Sequence, residues 1–131
     1  MKDIYETIND LVLRAALKDK GSLLKPKYKR MWSEDNPLRG YCYLASEWVY
    51  HCVPFVSKDF TPRMLYVNND ETHWFLQCDK TGEIIDPTAD QYPFPLDYKV
   101  ATRRAFFKGS VQTTRGWISK NGQKFSKLDV E

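Results

Sequence analysis

Apolar residues recur at intervals of three and four along the first twenty positions. They are Ile4, Ile8, Leu11, Val12, Ala15 and Ala16. This spacing places them on one face of a helix, and Gly21 followed by Ser22 supplies the residues that end it. The pattern therefore predicts an amphipathic helix over about residues 3–18 that lies on the core.

A second helical pattern follows a segment that cannot continue a regular helix. Pro37 lacks a backbone N–H, and Gly40 is conformationally loose. Helical spacing of apolar residues then resumes at Leu44, Ala45, Trp48 and Val49. We expect a helix over about residues 42–52 that begins at Cys42.

Strands are predicted beyond this helix. Residues 72–78 are rich in aromatic and apolar types, residues 79–82 are turn formers, and residues 83–86 return as a second strand. His73 and Asp86 then lie in roughly opposed positions near the far end of a hairpin, where cross-strand neighbours are about 5 Å apart at Cβ. A short final strand is predicted over residues 115–119.

Three side chains in this order have complementary chemistry. The N–H groups and the dipole at a helix N-terminus stabilise a thiolate at Cys42, and an imidazole such as His73 exchanges a proton near neutral pH. A carboxylate such as Asp86 fixes the imidazole tautomer when it accepts from one ring nitrogen while the other faces the thiol. The order predicts a thiol-dependent acyl-transfer site.

These segments carry a resemblance to a known superfamily. Residues 39–47 (RGYCYLASE) and 82–92 (GEIIDPTADQY) resemble the core of the papain-like and transglutaminase-like cysteine enzymes, and most nearly small uncharacterised bacterial and phage proteins of the YunG type. The resemblance covers a little under half of the chain. It implies an α+β fold in which a catalytic helix packs on a small antiparallel β-sheet, with Cys42 as nucleophile, His73 as base and Asp86 as orienter.

Further residues are candidates for binding the oxyanion or the substrate. Papain-type enzymes place a glutamine a few residues before the nucleophile, and here the shorter amide of Asn36 stands six positions before Cys42. The backbone N–H of Cys42 could supply one oxyanion donor. Gln91 is a second candidate amide, and a cleft could be lined by the rings of Tyr41, Tyr43 and Trp74. Rings that simply fill a small core are an equally consistent interpretation.

The remaining cysteines and histidine argue for a single reactive thiol. Cys52 and Cys78 are predicted to be packing residues, and three cysteines without a recurring spacing form neither a disulfide framework nor a zinc motif. We therefore expect no metal, no cofactor and a reducing compartment. His51 lies about 13 Å along the same helix from Cys42, too far to be its base.

Composition sets the broader class. A chain of 131 residues is expected to form one domain over residues 1–131, with its core at about 36–92. The basic run at residues 25–30 could contact phosphates or an acidic partner, but a net charge of +3 does not favour nucleic-acid binding. No apolar run has the length of a signal peptide or a membrane span. We expect a soluble, cytoplasmic protein, monomeric by default.

Three functions remain open at this level. The first is an acyl-transfer enzyme that forms a thioester on Cys42 and acts on a protein or peptide substrate as a peptidase, an isopeptidase or a glutamine deamidase or transamidase. The second is a catalytically weak or inactive papain-like module that binds a host or partner protein. The third is a thioesterase or acyltransferase, for which residues 25–30 would bind the phosphates of a carrier.

Overall fold

The chain combines helices with a small antiparallel sheet. The computed structural model describes residues 3–68 and 71–106 together with Trp117 and Asn121. Its α-helices are α1 (Ile4–Asp19), α2 (Pro26–Met31), α3 (Cys42–Cys52) and α4 (Pro54–Asp59). Its strands are β1 (Phe60–Asn68), β2 (Glu71–Cys78), β3 (Ile84–Ile85) and β4 (Thr102–Arg103), and two short 3-10 helices span Ala89–Gln91 and Tyr98–Val100. The α+β class predicted from the sequence is confirmed.

The sheet is antiparallel, with strand order β3-β2-β1-β4. Its centre is the pair β1 and β2, in which Phe60 pairs with Cys78 and Leu65 pairs with His73. The sequence analysis did not identify β1, although it is nine residues long. The short strand β3 extends the sheet beside β2 and brings the chain to Asp86.

The first helix has well-formed ends. Asp3 caps it by accepting a hydrogen bond from the backbone N–H of Glu6 at 2.8 Å. It stops where Lys20 and Gly21 both adopt positive φ, 53° and 79°. The predicted helix over residues 3–18 is therefore confirmed to within one residue at each end.

The catalytic-helix candidate α3 has the bounds that the sequence predicted. It packs on the sheet, and Ser46 Oγ donates a hydrogen bond to the backbone oxygen of Trp74 on β2 at 3.2 Å. Its buried side chains share a core with those of α1 and the sheet, which includes Ile8, Val12, Leu44, Trp48, Val49, Leu76 and Ile85. A helix anchored along its whole length in this way holds its first residue firmly against β2.

One helix was not assigned from the sequence, and one predicted strand is wrong at the residue that the structure describes. The basic run at residues 25–30 lies mostly in a helix, α2, whose lysines and arginine are exposed. Trp117, predicted to lie in a final strand, is instead helical and fully buried, because its ring packs between those of Tyr41 and Trp48. The other residues of that predicted strand lie outside the described part of the chain. Among the described residues, no helix has the length and apolar character needed to cross a membrane.

Candidate active site

Cys42 is the first residue of α3 and lies against the strand that carries His73. Cys42 is 9% exposed, and its Sγ lies 3.9 Å from the backbone oxygen of Thr72. Gly40, two residues earlier, turns the chain into the helix with φ of +87°. The thiol thus lies where the start of α3, the preceding glycine turn and the N-terminal end of β2 come together.

His73 on β2 and Asp86, the residue directly after β3, form a buried pair. His73 Nε2 lies 2.7 Å from Asp86 Oδ2, and their side chains are 0% and 4% exposed. Leu76 pairs with Ile85, so Asp86 comes opposite Phe75 and lies diagonal to His73. The sequence predicted that His73 and Asp86 lie roughly opposite each other, whereas the register offsets them by two residues. Diagonal side chains on one face of a sheet still reach each other.

The protonation of His73 follows from its neighbours. Burial lowers its pKa, but hydrogen bonding to Asp86 and Cys42, together with their charges, outweighs burial and raises the pKa to about 9. Nε2 is taken by Asp86, and Nδ1 has no hydrogen-bond partner among the described residues. Nδ1 is thus the ring nitrogen available to the thiol, and the imidazolium is favoured at neutral pH.

Tyr98 is a further member of the site that the sequence analysis missed. Its hydroxyl donates to Asp86 Oδ2 at 2.8 Å, and its ring packs edge-on against Phe75, with centroids 4.8 Å apart. Burial, followed by the charge of Asp86, raises the pKa of Tyr98, so it remains a donor. No local pattern marks this residue, because it reaches Asp86 only through the irregular course of residues 92–98.

Tyr92 also belongs to this site. Its ring stands edge-on to the imidazole of His73, with centroids 5.1 Å apart. Its hydroxyl is buried and has no hydrogen-bond partner among the described residues. Burial raises the pKa of Tyr92, and the charges of Cys42, Glu71 and Asp86 raise it further. The hydroxyl therefore lies protonated within the electrostatic reach of the candidate nucleophile.

The two candidate amides hold the loop after Asp86. Asn36 Nδ2 donates to the backbone oxygen of Gln91 at 3.1 Å. Gln91, itself buried, donates from Nε2 to Thr88 Oγ1 at 3.1 Å. The contact tethers the 3-10 helix that precedes Tyr92 to the segment that precedes α3.

The three candidate aromatic residues have different surroundings. Tyr41 is 0% exposed, and its hydroxyl donates to Asp19 Oδ2 at 2.6 Å and accepts from the backbone N–H of Gly21 at 2.7 Å. It therefore offers no surface to a substrate, and its proposed place in a cleft is corrected to one in the core. Tyr43 and Trp74, with ring centroids 4.9 Å apart, belong instead to a small apolar cluster that includes Cys42.

Polar residues that the sequence analysis did not select surround the thiol. Arg39 and Glu71 approach to 3.9 Å between Nη2 and Oε1. Tyr28 of α2 packs against Gly40, where a Cβ atom would lie 2.7 Å from that of Tyr28. Burial raises the pKa of Tyr28, with smaller contributions from the charges of Glu71 and Cys42. Helix α2 and the start of β2 therefore both border the site.

The other cysteines lie away from this constellation. All three cysteines are free, and Cys78 belongs to the main core. Among residues 3–68, 71–106, 117 and 121, no group of three or more histidine, cysteine or carboxylate side chains is arranged to hold a metal ion. The chemistry available in the described residues is that of a thiol, an imidazole and a carboxylate.

Comparison with protein-family models, with curated proteins and with solved structures found no match to this chain.

Proposed function

We propose that the protein is a cysteine-dependent acyl-transfer enzyme with a papain-like core, in which Cys42, His73 and Asp86 form the catalytic triad. One observation carries the proposal. A buried imidazole is bonded through Nε2 to a carboxylate at 2.7 Å, which leaves Nδ1 for a thiol at the first turn of a helix. This is the relation that nucleophile, base and orienter require.

The mechanism uses each group at a defined atom. The Cys42 sulfur attacks the carbonyl carbon of an amide, and the carbonyl electron pair moves to oxygen. His73 donates its proton to the leaving nitrogen as the C–N bond breaks, and the acyl group remains as a thioester on Cys42. His73 then takes a proton from water or an acceptor amine that attacks the thioester, and sulfur leaves as the thiolate. Asp86 keeps the imidazole oriented through both steps.

A protein or peptide is the proposed substrate. Peptide hydrolysis, isopeptide hydrolysis and glutamine deamidation or transamidation share this thioester and differ in the amide attacked and in the acceptor. Cys42 is only 9% exposed, so a slender acyl group, such as a glutamine side chain or an extended backbone, fits better than a branched one.

Cysteine-resolved alkylation tests the proposal without a known substrate. Iodoacetamide labelling at pH 7, followed by peptide mass spectrometry, gives a separate rate for each cysteine. We expect Cys42 to react at least about tenfold faster in the wild type than in His73→Asn, because imidazolium favours the thiolate. Cys78, whose pKa is lowered by hydrogen bonding to Thr81, is the internal reference and should react equally in both proteins.

Two outcomes would contradict the proposal. Equal Cys42 rates in the wild type and His73→Asn would show that the pair does not act together. A thiol that is inert in both proteins would favour the alternative of a papain-like module that binds a partner protein. If labelling supports the pair, a screen of peptide, isopeptide and glutamine substrates follows, in which Cys42→Ala should be inactive and Cys52→Ala should retain activity.

A second candidate is a thioesterase or acyltransferase, and the position of α2 favours it. The exposed cations of this segment are Lys25, Lys27, Lys29 and Arg30. Tyr28 joins the same helix to Gly40 beside Cys42. An acyl carrier with phosphate groups would therefore meet positive charge next to the nucleophile.

Paired thioesters distinguish this candidate. Acetyl coenzyme A carries phosphates, whereas the N-acetylcysteamine thioester of acetate has the same acyl group without them. Thioester cleavage that prefers the phosphate-bearing donor, and loses this preference in K27Q/K29Q/R30Q, would support the second candidate. Equal cleavage of both donors by the wild type would argue against it.

A further inference from the structure

The proposed reaction places negative charge on the carbonyl oxygen, and the following inference rests on that proposed function. Such an oxygen needs preorganised donors, and each is typically worth about 2.7–4 kcal/mol of transition-state stabilisation. The backbone N–H of Cys42, in the first turn of α3, is free of an intrahelical partner and supplies one donor. The amide of Asn36, the sequence-based candidate for the second, is engaged with the backbone oxygen of Gln91 at 3.1 Å.

The side chain of Tyr92 has the properties that the second donor needs. Its ring is fixed edge-on against His73, with centroids 5.1 Å apart. Its hydroxyl is shielded from solvent and has no partner among the described residues. A buried hydroxyl without a partner costs free energy, and such orphan groups commonly have a functional explanation.

We propose that the Tyr92 hydroxyl is the second oxyanion donor of this site and takes the place of the glutamine amide of papain-type enzymes. In the free protein it has no partner within the described residues, and it gains one when the acyl carbon becomes tetrahedral. This difference between the two states is what accelerates a reaction. The Asn36 to Gln91 bond then has a positioning role, because it fixes the residue that precedes Tyr92.

The electrostatics agree with this role. Burial and the charges of Cys42, Glu71 and Asp86 raise the pKa of Tyr92, so the hydroxyl keeps its proton wherever the enzyme works. As the reaction proceeds, negative charge moves from sulfur to the carbonyl oxygen. A buried, protonated hydroxyl whose pKa is raised by the charge of Cys42 is suited to follow that movement.

Two small probes separate an oxyanion donor from a structural residue. Propionaldehyde forms a bond between its carbonyl carbon and the Cys42 sulfur, and its oxygen becomes the hydroxyl or oxyanion of a hemithioacetal with no leaving group. Iodoacetamide reacts at the same sulfur by displacement of iodide and creates no oxyanion. We expect Tyr92→Phe to weaken propionaldehyde binding by about tenfold or more while it changes the iodoacetamide rate by less than about twofold. Tyr66→Phe, at a residue that is 62% exposed, should change neither.

Each other outcome has a defined meaning. Equal propionaldehyde affinity in Tyr92→Phe and the wild type would overturn the assignment, and so would parallel losses with both probes, since these indicate a packing role. The absence of an aldehyde adduct in a wild type that alkylates rapidly would also overturn it, because the site would then not stabilise a tetrahedral oxygen. Failure of the wild type to alkylate at all would instead refute the proposed function, and this inference with it.

A measurement on the unmodified protein guards against a variant that does not fold. In the adduct of the wild type with propionaldehyde, the proton on the tetrahedral carbon should show a nuclear Overhauser contact with the ring protons of Tyr92. Contacts of that proton with the rings of Tyr43 or Trp74 in place of Tyr92 would place the oxygen elsewhere and overturn the assignment.

Discussion

His73 on β2 and Asp86, the residue directly after β3, are joined at 2.7 Å between Nε2 and Oδ2 although they lie diagonally to each other. The same carboxylate oxygen also accepts from the hydroxyl of Tyr98 at 2.8 Å. Two donors on one oxygen fix the carboxylate, and the carboxylate in turn fixes the imidazole. A strand of only two residues, β3, is thus sufficient to bring Asp86 to His73, because the side chain of Tyr98 helps to hold the carboxylate in place.

Asp86→Asn should slow the alkylation of Cys42 by about tenfold at pH 7. The neutral amide removes the charge that helps to hold the proton on His73, and one unit of pKa corresponds to about 1.4 kcal/mol, or tenfold in an equilibrium. The imidazole titration of His73, followed by nuclear magnetic resonance, should move to lower pH than about 9. Asp90→Asn makes the same chemical change at an exposed residue of the same loop and should leave both readouts unchanged; an equal effect of the two variants would refute the role of Asp86.

Tyr98→Phe should have a smaller effect of the same kind. It removes one donor to Asp86 but keeps the ring that packs on Phe75. The lost hydrogen bond to a charged acceptor should cost about 1.5–3 kcal/mol in the free energy of unfolding. Alkylation of Cys42 should also slow by a few fold, because Asp86 is less well positioned. A loss of stability with no change in the alkylation rate would show that Tyr98 contributes only to folding.

The charge of His73 should make stability depend on pH. Its pKa is raised from the ordinary 6.5 to about 9 in the folded protein, so the folded state binds the proton more tightly than the unfolded state. The resulting contribution, on the order of 1–3 kcal/mol, is fully present below pH 6.5 and is lost as the pH rises to 9. Urea unfolding at pH 6 and pH 9.5 should therefore show a stability difference between the wild type and His73→Gln that shrinks at the higher pH. A difference that grows with pH would contradict the raised pKa.

The helices that carry a clean pattern were predictable from the sequence. In α3, a proline and a glycine precede an apolar repeat, and both bounds follow from these signals. Strand β1 was missed for a physical reason. Met64 and Leu65 are adjacent and both buried, because both faces of the sheet are shielded from solvent at this point. The alternation that marks a half-buried strand is then lost, and Pro62 further obscures it.

The residues of the proposed triad could be selected from the sequence, but the contacts of the residues around them could not. Cys42, His73 and Asp86 belong to short motifs whose order and local structure can be recognised in the sequence. Tyr92 and Tyr98 instead lie beside Pro93 and Pro95 in a segment without a periodic pattern of apolar residues, so only the tertiary course of the chain brings them to His73 and Asp86. Tyr41 was misassigned because its neighbour Cys42 lies at the site, whereas successive side chains of a helix start point in different directions.

The last prediction concerns Gly40, the glycine that precedes α3. Gly40 has φ of +87°, and a Cβ atom there would lie 2.7 Å from the Cβ of Tyr28. Gly82 has a similar φ of +78° but open space where a Cβ would stand. Gly82→Ala should therefore cost only the backbone strain, about 1–2 kcal/mol, whereas Gly40→Ala should also incur an overpacking cost of about 1–3 kcal/mol.

Comparing Gly40→Ala with Gly82→Ala separates the cost of backbone strain from the cost of the steric clash with Tyr28. Urea unfolding should rank the stabilities as wild type, then Gly82→Ala, then Gly40→Ala. Alkylation of Cys42 should slow only in Gly40→Ala, since relief of the clash must displace either Tyr28, with α2, or the turn that leads into Cys42. If Gly40→Ala is no less stable than Gly82→Ala and its thiol reacts at the wild-type rate, then the close packing of α2 against the start of α3 is not what positions the nucleophile.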